Sequence, residues 1–65
     1  MDKKRLVELL TEAVEAEDRS YARYSRLAEE CGDPELKVIL TRLAKEELEH
    51  GRTIKRRLEI FKDYS

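Results

Sequence analysis

Glu47-Leu48-Glu49-His50 is an E-x-x-H motif built around the only histidine of the chain. On a helix, an i, i+3 step puts the carboxylate and the imidazole on one face, about 4.5 Å apart along the axis. That spacing suits two ligands of one metal ion, or of a close pair of ions. A third ionisable residue, Glu17, stands thirty positions before Glu47. All three interrupt otherwise apolar stripes. A lone buried carboxylate is costly unless it is paired or bound to a metal. The chemistry in question is therefore metal binding, provided that the fold brings the three together.

The elements that must do so are two helices and one turn. The only Gly-Asp-Pro cluster is Gly32-Asp33-Pro34, near the middle of the chain. Gly32 suits the left-handed position just past a helix end. Asp33 suits an N-cap and Pro34 the first helical position. Asp2 is the N-cap expected for the first helix. The first helix is expected over about 3–31 and the second over about 34–62, with a turn at 32–33. A turn this short favours antiparallel helices. Gly51 falls inside the second helix, either tolerated there at a cost of about 1 kcal/mol against Ala or marking a close approach of the helices.

The first helix carries a stripe at Leu6, Leu10, Ala13, Glu17, Tyr21, Tyr24, Ala28 and Cys31. The second carries one at Leu36, Leu40, Leu43, Glu47, His50, Ile54, Leu58 and Phe61. Every step is three or four residues, so each stripe is one helix face. In an antiparallel hairpin turning near 32 or 33, residues at one level have numbers summing to about 64–66. Leu10 and Ile54 fit, as do Ala28 and Leu36. Glu17 and Glu47 fit too, and His50 lies within a turn of that layer. Two helices cannot fully cover both stripes, whereas a pair of hairpins forming a four-helix bundle can.

One hairpin supplies two carboxylates and one imidazole. A two-fold dimer supplies four carboxylates and two imidazoles, enough for two ions. Bridging carboxylates fit iron or manganese, and the mixed nitrogen and oxygen set also accommodates zinc. The alternative is a metal-free, charge-rich helix pair in which a buried Glu–His hydrogen bond sets the register and the exposed stripe serves assembly or an adaptor role. Tyr24 lies two turns after Glu17 on the same face. Helical side chains lean toward the N-terminus, so its hydroxyl can point back at the Glu17 layer. There it would hydrogen-bond a ligand or supply an electron, which makes it the catalytic candidate; the other reading is a core tyrosine. Tyr21 is expected in the plain core and Tyr64 in a frayed end. Glu46, four residues before His50, is the rival ligand to Glu47. Glu15, Asp18 and Glu49 lie off the stripe and are expected in solvent. Cys31 is expected to act as a small buried hydrophobe.

Composition narrows the classes further. A chain of 65 residues is at most one domain, and a core of this size needs help from disulfides, a metal or a partner chain. With a single cysteine, Cys31, an intrachain disulfide is excluded. No apolar run is long enough to span a membrane, and the N-terminus lacks a signal-peptide pattern, so the expected compartment is cytoplasmic. The formal net charge of -1 gives no global attraction for nucleic acid. Lys3, Lys4, Arg5, Arg52, Lys55, Arg56, Arg57 and Lys62 gather at the open end of the hairpin, where solvated surface is the plain reading. At 45% charged residues the chain could pass for disordered, but its apolar residues keep helical spacing.

Glu17, Tyr24, Glu47 and His50 resemble the ferritin-like superfamily, in particular its rubrerythrin-like and encapsulated-ferritin-like branches. Those proteins carry a helix-1 ligand Glu and E-x-x-H on helix 2, and encapsulated ferritins add a Tyr seven residues after the first Glu. The resemblance implies a hairpin that dimerises into a ferritin-like four-helix bundle. It implies a di-iron ferroxidase site shared between two subunits, with Glu47 bridging and Glu17 and His50 as terminal ligands. The oxidant would be dioxygen or peroxide. The implied partners are further copies of the chain, as a homodimer or a larger ring, with a protein-shell compartment as a further candidate. Two features depart from the encapsulated branch. Its accessory acidic positions are Ala16 and Arg19 here, and its shell-targeting tail is not seen in the sequence, which ends at Ser65.

Overall fold

A computed structural model describes residues 1–63 of the chain. It is an antiparallel hairpin of two helices, α1 (Lys3–Glu30) and α2 (Pro34–Asp63), with no strand among the described residues. Tyr64, expected at a frayed end, lies outside them. The hairpin measures 49 × 15 × 14 Å, a rod two helices across.

Local chemistry sets the ends. The Asp2 carboxylate accepts from the Arg5 backbone N–H at 2.7 Å, and Asp2 itself has extended backbone. Asp33 repeats the arrangement for α2: its Oδ2 accepts from the Leu36 N–H at 2.8 Å. Pro34 then opens the helix, where its missing N–H costs nothing. Both capping expectations are met.

The expected left-handed Gly32 is not. No glycine among the described residues has positive φ. The first helix stops at Glu30, one residue short of the expected boundary, and Cys31 leaves it in extended backbone at φ -77°, ψ 125°. With the turn made by extended residues and Asp33 free to cap α2, no left-handed residue is needed. The Cys31 thiol donates to the Asp33 carbonyl at 3.5 Å, closing the turn on itself.

The helices meet along the expected faces, but the core is thin. Among the described residues, the buried apolar side chains are Ala28, Ala44 and Leu58, together with Gly51. Gly51 marks a close approach: a Cβ there would lie 3.4 Å from the Cβ of Glu17. At the open end, Lys3 sits over the Phe61 ring at 5.4 Å and donates to the Lys62 carbonyl at 3.3 Å. Leu27, Leu36 and Ile39 stay 44–49% exposed. Tyr21, expected in the core, is 38% exposed. It lines a groove of about 390 Å³ with Ala28, Ala44 and Leu48 between the helices. The reason is geometric: one helix covers only part of a broad apolar face, and the remainder is left open.

Candidate metal centre

The hairpin brings Glu17 of α1 together with Glu47 and His50 of α2. One ligand atom from each lies within 4.8 Å of the others. The His50 Nδ1 is 3.8 Å from Glu17 Oε2 and 3.8 Å from Glu47 Oε1. Both contacts are too long for hydrogen bonds. The imidazole thus faces both carboxylates without hydrogen-bonding either.

Their positions follow from the sequence. Glu47 and His50 share a face because they are one i, i+3 step apart on α2. Glu17 reaches them because no side chain larger than a methyl would fit between the helices at Gly51, and the glycine leaves that level open. The two carboxylates are largely covered, at 24% and 23% side-chain exposure, while the imidazole is 60% exposed. His50 therefore stands on the open side of the cluster.

Glu17 is the strained member. Its Oε2 is buried and has no hydrogen-bond partner among the described residues. Its pKa is raised above the ordinary carboxylate range, first by Glu47, to which it hydrogen-bonds when a proton is shared between the two. Desolvation and the charge of Glu47 push the same way, and His50 opposes them. A divalent cation would remove the cause of that shift by taking the place of the proton. The donor set of two carboxylates and one imidazole suits iron or manganese, so the residues fit a metal ion.

Tyr24 is half-buried on α1, and its hydroxyl makes no hydrogen bond among the described residues. Glu46 is exposed and outside the converging set. Glu15, Asp18 and Glu49 are exposed, as expected. The Lys3–Phe61 contact was not anticipated, although those two residues share a level in the hairpin.

A two-helix hairpin carrying a Glu and an E-x-x-H at mid-length is the pattern of a ferritin-like carboxylate protein. The chain belongs to the Rubrerythrin family, whose profile it matches over residues 1–58. This is a ferritin-like, di-iron family, and membership implies iron binding. Comparison with curated proteins and with solved structures returns no significant match. No helix among the described residues is long and apolar enough to cross a membrane.

Proposed function

We propose that two copies of the chain form a four-helix bundle that binds two iron ions, with Glu17, Glu47 and His50 of both copies as ligands. At this centre the protein oxidises Fe(II) with dioxygen or peroxide. The observation that carries the reading is the convergence of three donors around the buried, unpartnered Glu17 Oε2. One hairpin offers too few donors for two ions, and His50 faces the open side, where a second copy would add its own.

Each residue then has a task. Glu17, Glu47 and His50 would hold the iron, with Glu47, as the family resemblance implies, the carboxylate that would be shared between the ions. The carboxylates supply anionic charge that favours Fe(III) over Fe(II). Tyr24, two turns from Glu17, is the candidate for delivering a proton or an electron to the layer. The reaction balances simply. Two Fe(II) give up two electrons, and peroxide with two protons takes them to form two waters. Dioxygen with two protons takes them to form hydrogen peroxide.

The test is the rate at which Fe(III) forms after Fe(II) is mixed with oxidant. Glu47→Ala and His50→Ala are expected to fall to the protein-free rate. Tyr24→Phe is expected to bind iron but react more slowly. If all three variants oxidise iron as the unmodified chain does, the centre lies elsewhere or does not exist.

A further inference from the structure

The charges of α1 are arranged against its own dipole. Lys3, Lys4 and Arg5 stand at its N-terminus, and Glu29 and Glu30 at its C-terminus. Its first turn holds no acidic residue and its last turn no basic one. Each such placement is mildly unfavourable in an isolated helix. An antiparallel copy of α1 alongside would reverse that, because the basic end of each copy would meet the acidic end of the other.

The flank of α1 carries a more specific signal. Arg5, Glu12, Arg23 and Glu30 are separated by 7, 11 and 7 residues. These are near-whole turns, so the four line up within a sector of about 20°. All four are exposed. Arg5 pairs with Glu8 at 3.2 Å and Glu30 with Arg26 at 3.7 Å, whereas Glu12 and Arg23 make no ion pair among the described residues. The order of signs is plus, minus, plus, minus, and it inverts when read backwards. An antiparallel copy centred between residues 17 and 18 sets Arg5 against Glu30 and Glu12 against Arg23. That centre is the layer of the metal cluster, which the charges had no need to share.

The adjoining face of α1 fits the same register. Ala13, Ala16 and Ser20 flank Glu17 and allow close approach at the centre, while Leu9 meets Leu27 toward each end. The opposite orientation, with both turns at one end, would bring the open ends together. Those ends, residues 1–12 and 52–63, hold eight cations against five carboxylates, Asp2, Glu8, Glu12, Glu59 and Asp63.

We infer that the occupant of the open face is a second copy whose α1 lies antiparallel to the first, centred at Glu17 and held in register by Arg5–Glu30 and Glu12–Arg23 pairs between copies. The inference rests on the shared centre proposed above and adds to it the orientation and the residues that choose it.

The test is charge reversal read by sedimentation. Glu12→Arg sets like charges against Arg23 of the other copy, and Arg23→Glu does the same to Glu12. Two symmetry-related exposed pairs turn from attraction to repulsion, so each variant alone is expected to dimerise about tenfold more weakly. An equimolar mixture of the two variants restores both pairs and is expected to associate like the unmodified chain. The double variant Glu12→Arg with Arg23→Glu is expected to recover as well. Residues 12 and 23 of one copy are about 16 Å apart along the helix, so recovery reports a contact between copies. A second readout uses Leu6→Cys. In this register residue 6 lies within about 3 Å, along the axis, of the level of Cys31 of the other copy, and oxidation is expected to give more covalent dimer than the unmodified chain gives.

Iron loading is measured in the same samples. A dimer that binds iron but shows no recovery in the mixture overturns the register and leaves the shared centre standing. A chain that neither dimerises nor binds iron overturns both.

Discussion

Replacing Gly51 by Ala is expected to stabilise the hairpin. Gly51 is buried in the interior of α2, at the level of Glu17. A glycine in a helix interior costs about 1 kcal/mol relative to alanine, mainly in backbone entropy. Whether Ala can recover that depends on the space its methyl group would enter. A Cβ at this position would lie 3.4 Å from Glu17 Cβ and 3.8 Å from Asp18 Oδ1. Both are ordinary van der Waals distances, so the methyl fills space without displacing α1. The expected gain is about 0.5–1 kcal/mol. At about 4–8 °C per kcal/mol for a domain of this size, the melting temperature should rise by several degrees. The assay is thermal unfolding followed by circular dichroism at fixed protein concentration, without metal. Gly51→Leu is the contrasting variant: its longer side chain must move α1 away from Glu17, so it should lose stability and metal binding together. A loss of more than about 1 kcal/mol for Ala would place the helices closer than described and refute the reasoning.

Three further outcomes are expected. Asp33→Ala removes the acceptor for the Leu36 N–H and should cost about 1 kcal/mol in urea unfolding, as the loss of an N-cap does. The raised pKa of Glu17 makes its contribution to the metal-free hairpin fully present below the unfolded carboxylate pKa and lost as pH rises through the folded value. The metal-free chain should therefore lose stability relative to Glu17→Gln as pH rises above the ordinary carboxylate pKa, and matching pH profiles for the two would refute the assignment. Metal binding needs the deprotonated carboxylate, so affinity measured by calorimetry should rise over the same window.

Much of this molecule was legible in its sequence, because the decisive signals are local or periodic. Asp2, Asp33 and Pro34 act within one turn of themselves, so the helix boundaries came out within a residue. The cluster was legible for another reason: a rigid antiparallel hairpin with a short turn converts sequence number into height, which put Glu17 level with Glu47. What escaped depended on finer geometry. The glycine type at position 32 suggested a left-handed residue, but extended backbone at Cys31 made one unnecessary. Tyr21 belongs to the apolar stripe, yet a single neighbouring helix cannot cover the full width of that face. The sequence left Gly51 open between tolerance and close approach, and only the position of Glu17 against it decides for approach.

The central claim is that two copies and two ions make one site. Native mass spectrometry of the chain titrated anaerobically with Fe(II) tests it most directly. A dimer carrying two iron ions is expected, and that species should be missing for His50→Ala. A monomer that binds a single ion tightly, or a dimer that takes up no iron, would contradict it.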